Sequence, residues 1–169
     1  MEKHRLCRVM KMKKIQFKWV LFWVLLSEAV GFMAGFLSRE GTQVYSQLAN
    51  NPPLSPPQRL FPVVWVVLYA LMGIGAGLVM SRGRSAQRDQ ALNLMVAQLV
   101  VNFFWPLLFF NAAAYGLAFF WLLLLLVLVL WMTREFAKLS LLAAKLQIPY
   151  ILWLLFAAYL NGAVWYLNC

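Results

Sequence analysis

As a pattern of apolar and polar positions, the chain is five long greasy stretches separated by short polar breaks. The stretches cover roughly residues 19–38, 61–80, 91–110, 115–133 and 148–167. Crossing a hydrocarbon core about 30 Å thick takes about 20 helical residues, which each stretch supplies. Lipid offers backbone groups no hydrogen-bonding partner, so every stretch is expected to be helical. The alternating pattern of a membrane β-barrel is missing, since each position from Trp121 to Leu130 is apolar. The expected fold is an all-α integral membrane protein, a five-transmembrane-helix bundle.

Composition agrees, with 64% hydrophobic and 12% charged residues. A soluble chain of this length has too little interior for that much apolar surface. The net charge of +10 raises the question of nucleic acid, but its placement answers it. Lys3, Arg5, Arg8, Lys11, Lys13, Lys14 and Lys18 form a basic tail over residues 1–18, ahead of a membrane domain over residues 19–169. Such a tail suits an anionic leaflet. No folded basic face follows, so the bilayer is the expected partner and nucleic acid is not. The first apolar run exceeds a signal-peptide core and is read as a retained span.

Connecting segments on the side of the tail carry thirteen Lys and Arg, including Arg82, Arg84, Arg88, Arg134, Lys138 and Lys145. The opposite side has two, Arg39 and Arg59. The positive-inside rule then puts the amino terminus in the cytoplasm and the carboxyl terminus outside, as in a multi-pass protein of a bacterial cytoplasmic membrane. Cys7 and Cys169 would face opposite compartments.

The first outer loop runs from about Ser38 to Leu60 and is stiffened by two proline pairs, Pro52-Pro53 and Pro56-Pro57. It is either a lid or a spacer. Glu28 is the one acid within the five stretches. It is read either as a proton-coupled or cation site, as in a small drug exporter, or as a neutral acid bonded to a neighbouring helix. Gly31 and Gly35, and the cluster Gly73, Gly75 and Gly77, offer small-residue surfaces for close helix approach or dimerisation.

Three stretches carry polar and aromatic residues at helical spacing, each set on one face. They are Phe61, Trp65, Tyr69 and Met72; then Gln98, Asn102, Trp105 and Phe109; then Tyr150, Trp153, Ala157 and Asn161. Pro106 withholds an N–H from the carbonyl of Asn102. Either these polar groups glue helices together, or the three stripes converge on a flat, mostly apolar cavity. Conventional catalysis lacks parts: His4, the single histidine, is in the tail, and no carboxylate pair, Cys/His metal set or phosphate loop appears.

Three ordered blocks carry a resemblance. Pro52-x-Leu54-Ser55-Pro56-Pro57 leads into Phe61-Pro62-Val63-Val64-Trp65-x-x-Leu68-Tyr69-x-x-Met72-Gly73; Gln98-x-x-x-Asn102-x-x-Trp105-Pro106 follows; Pro149-Tyr150-x-x-Trp153-x-x-Phe156-Ala157-x-x-x-Asn161 completes the set. Together they resemble the tryptophan-rich sensory protein family, which includes the mitochondrial translocator protein or peripheral benzodiazepine receptor.

The resemblance implies an often dimeric five-helix bundle with a pocket beneath the first loop. It implies porphyrin binding as function, with a protoporphyrin-like ligand, no bound cofactor and no metal. Matching positions give Trp65, Tyr69, Asn102, Trp105, Tyr150, Trp153, Ala157 and Asn161 as ligand-binding residues, under a lid of Pro52, Leu54, Pro56 and Pro57. Transport and sensing are alternative outcomes of such binding. A light-dependent oxidative breakdown of protoporphyrin is a further alternative, with Trp65 and Trp153 as the catalytic pair. The chain departs from the family pattern at Asn51 and Leu54, where a basic residue and a tryptophan are usual.

Overall fold

Five helical segments are long and apolar enough to cross a membrane, as the run lengths predict. The computed structural model describes residues 16–48, 52, 57 and 59–168, so most of the basic tail and of the first loop, with both cysteines, lies outside the described residues. The helices are α1 (Phe17–Leu48), α2 (Leu60–Met80), α3 (Ala86–Pro106), α4 (Tyr115–Leu139), a short α5 (Leu141–Lys145) and α6 (Ile148–Leu167). A π-helical turn, Leu107–Asn111, continues α3.

Local chemistry explains the ends. Ser85 caps α3 by accepting from the Arg88 N–H at 3.1 Å, and Ser140 caps α5 by accepting from the Ala143 N–H at 3.4 Å. Pro149 stands in the first turn of α6, where its missing N–H has no helical partner to lose.

Around the bundle the neighbours run α2, α1, α3, α4, α6, and α2 and α6 close the ring with the slightest contact of any adjacent pair. Burial is turned inside out relative to a soluble protein. Gln98, Asn102, Gln147 and Asn161 are buried, whereas Phe32, Val63, Val67, Val100, Val127 and Leu152 are exposed. Lipid accepts the apolar exterior, and polar groups find partners only within the ring.

The second glycine cluster sets the tightest packing. A Cβ on Gly73 would strike the Val24 backbone of α1, and one on Gly77 would strike that of Val20. These glycines, four residues apart, therefore bring α1 and α2 into backbone contact. Gly31 lies under the Tyr69 ring, whereas Gly35 faces open space.

Two sequence expectations need correction. The first helix does not stop near Ser38, since α1 continues to Leu48 and takes the start of the expected loop into helix. Its buried face keeps its helical period after the apolar run stops. Ala34 and Ser38 are buried, Gly41 fits against the Phe110 backbone, and Tyr45 packs on Phe109 and Phe110. Asn111 adds a bond from its Nδ2 to the Leu37 carbonyl, 3.0 Å away. Secondly, α4 runs six residues past the expected 133 to Leu139, which brings a second acid, Glu135, into a spanning helix. Glu135 is buried and accepts from Lys138 Nζ at 2.6 Å.

Candidate ligand site

The site is assembled from inward faces of α2, α3 and α6. On α2, Tyr69 and Met72 are buried and Trp65 is half-buried. The Trp65 ring lies 5.5 Å from that of Tyr69 and 6.3 Å, edge-on, from that of Tyr150. Tyr150, fully buried on α6, donates its hydroxyl to Gln98 Oε1 on α3 at 3.0 Å. Gln98 in turn donates Nε2 towards the sulfurs of Met95 and Met72, at 3.4 and 3.6 Å. One amide thus ties three helices together, its oxygen holding a strong donor and its nitrogen two soft acceptors.

A second knot lies further along α3. Trp105 Nε1 donates to Asn161 Oδ1 at 3.2 Å, and Asn161 Nδ2 donates to the Tyr115 carbonyl at 2.8 Å. The Trp105 ring stacks on Phe109 with centroids 5.2 Å apart and planes 21° from parallel. Tyr45 closes the aromatic wall from α1, its ring 5.3 Å from Phe109 and 6.4 Å from Tyr115.

Asn102 stands one turn from Gln98 and one turn from Trp105. It is 2% exposed, and its Nδ2 has no hydrogen-bond partner among the described residues. A buried amide donor without a partner forgoes about 1–3 kcal/mol, so it is kept only where something else rewards it. On the next turn Pro106 interrupts the ladder. The N–H of Leu107 bonds back to the Phe104 carbonyl, and the chain widens into the π turn. Such widenings re-aim side chains and frequently occur at functional sites. The Trp121 indole of α4 braces this stretch by donating to the Val101 carbonyl at 2.8 Å.

Of the eight ligand-site residues read from sequence, Trp65, Tyr69, Asn102, Trp105, Tyr150, Ala157 and Asn161 belong to this interior. Trp153 stands apart from the Trp65 cluster. Its half-buried ring meets Phe61 at 5.8 Å and Phe156 at 5.6 Å, on the seam between α2 and α6. Among the lid residues, Pro52 is buried and Pro57 exposed, while Leu54 and Pro56 lie outside the described residues. Glu28 is half-buried on α1 and makes no ion pair among the described residues.

Sequence reasoning missed Tyr45, which it assigned to the loop, and Trp121, which it counted only as an apolar position. The signal for Tyr45 was the spacing of small residues at Ala34, Ser38 and Gly41, continuing one face of α1 beyond the apolar run. Trp121 had no comparable signal, since its partner is a backbone carbonyl.

Comparison with known proteins agrees with the family resemblance that the three blocks carry. The TspO/MBR family profile matches residues 23–167. The translocator protein of Ovis aries is 35% identical over 146 residues, 85% of this chain and 86% of that one. The translocator protein of Homo sapiens is 35% identical over 144 residues, covering 83% and 85%. The tryptophan-rich protein TspO of Chlorobaculum tepidum is 30% identical over 146 residues, covering 83% and 89%. With its five apolar helices and this match over most of its length, the chain is a multi-pass membrane protein that belongs to the TspO/MBR family.

Proposed function

We propose that the protein binds a flat amphipathic molecule of the porphyrin class inside the helical ring, as a carrier or sensor in the membrane. The observation that carries this reading is the Nδ2 of Asn102, a buried donor without a partner among the described residues. It stands one turn of α3 from Gln98, which holds Tyr150, and one turn from Trp105, which stacks on Phe109. Aromatic faces suit a planar macrocycle, and one unsatisfied donor supplies an orienting bond to a polar edge of the ligand. Protoporphyrin titrated at micromolar concentration into the protein in nanodiscs is expected to quench tryptophan emission to saturation. Absence of saturable quenching would defeat the reading.

A photochemical reading draws support from Trp65 lying in ring contact with Tyr69 and Tyr150, three side chains able to give up an electron. It predicts that bound protoporphyrin, illuminated in oxygen, is lost faster than free porphyrin. Trp65→Phe and Trp153→Phe would each reduce that excess; loss equal to free porphyrin would reject it.

A further inference from the structure

Four of the five seams around the ring are locked and the fifth is not. Gly73 and Gly77 press α2 onto α1; Asn111 of the π turn bonds α1; Trp121 of α4 bonds α3; Asn161 of α6 bonds the Tyr115 carbonyl of α4. Between α2 and α6, no hydrogen bond is found among the described residues, and the two helices barely meet. The inner end of this seam is nevertheless shut, because Gly75 lets Gln147 and Ala143 fit close against α2. Beyond Pro149 the seam opens into a groove of about 570 Å³.

Val63, Val67, Leu68, Leu152, Trp153 and Phe156 form most of its wall, which is apolar throughout. Val63, Val67 and Leu152 are 61%, 52% and 61% exposed, so the mouth opens on the lipid-facing surface. Leu68, at the back, is buried in the core that also holds Tyr69 and Tyr150. Two edge-on ring contacts cross the seam, Phe61 with Trp153 and Trp65 with Tyr150. Tyr150 is anchored by its bond to Gln98, but Phe61 and Trp153 meet by ring packing with no hydrogen bond between them, so that pair can part by side-chain rotation without helix displacement.

We infer that this seam is a lateral passage through which a planar amphipathic ligand moves between the bilayer and the ring interior, with Phe61 and Trp153 as its gate. The inference rests on the binding reading above and adds the source of the ligand, which is molecules dissolved in lipid. The occupant in transit is the apolar ring face of that ligand. A wall without polar groups slides along it, and the volume falls within the range of roughly 300–1,000 Å³ typical of ligand pockets. The ligand's acid groups trail at the membrane surface, so no charge crosses the hydrocarbon.

The test is stopped-flow tryptophan quenching by protoporphyrin in proteoliposomes, comparing wild type with Val67→Trp, Leu152→Trp and Phe61→Ala. A barrier on the path changes forward and reverse rates alike. Val67→Trp and Leu152→Trp, which fill the groove from exposed positions, are therefore expected to slow association and dissociation together by about tenfold, leaving Kd unchanged. Phe61→Ala, which removes half the gate, is expected to speed both. Rates within twofold of wild type in all three variants would overturn the passage while leaving binding intact. A changed Kd at unaltered association rate would also overturn it, making the groove part of the binding surface. A wild-type protein that fails to bind would remove the binding reading and the passage together.

Discussion

At the scale of single residues, the interior amides divide into satisfied and unsatisfied. Gln98 and Asn161 spend their bonds on holding helices together, whereas Asn102 keeps a donor in reserve. Tyr150→Phe is expected to cost about 1–3 kcal/mol, because it leaves Gln98 Oε1 buried without its hydroxyl donor. Thermal unfolding in detergent measures this, and an unchanged midpoint would mean that the Gln98 knot contributes nothing. The helical stripes bearing these amides were legible in the sequence, since spacing alone puts Gln98, Asn102 and Trp105 on one face. Which amide is satisfied was not, because that depends on Tyr150 reaching Gln98 across 52 residues of chain and on Asn161 reaching the Tyr115 carbonyl across 46. Trp153 illustrates the same limit: its spacing matches the inward stripe of α6, but the local separation of α2 from α6 leaves its ring at the seam.

At the scale of elements, the glycines of α1 and α2 separate two uses of one residue type. Gly77→Leu is expected to destabilise the fold by roughly 1–3 kcal/mol or more, since the side chain must displace the Val20 backbone. Gly35→Leu meets open space and is expected to leave the melting temperature of the purified protein unaltered. Equal effects of the two would contradict the close α1–α2 contact. Apolar run length located all five spans and misjudged the carboxyl-terminal ends of the α1 and α4 helices. The reason is physical: hydropathy records where hydrocarbon stops, while a helix stops where its packing does. Tyr45 and Gly41 hold α1 together past the first limit, and Glu135 with its Lys138 partner lets α4 continue past the second.

At the scale of the whole molecule, charge asymmetry predicts an orientation that the helices themselves do not encode. The two native cysteines report on it. A membrane-impermeant maleimide applied to intact bacterial cells expressing the chain is expected to label Cys169 and to reach Cys7 only after permeabilisation; the reverse pattern would invert the topology. The ring is a bundle with four locked seams, one loose seam and an aromatic-lined interior, in which Asn102 is expected to serve a ligand and not the fold. The direct measurement is the protoporphyrin affinity of Asn102→Leu beside its thermal stability. Loss of an orienting hydrogen bond predicts binding weaker by about tenfold, with stability equal to or above wild type, since no bond within the protein is lost at Nδ2. Unchanged affinity, or a protein that unfolds without the amide, would contradict the account.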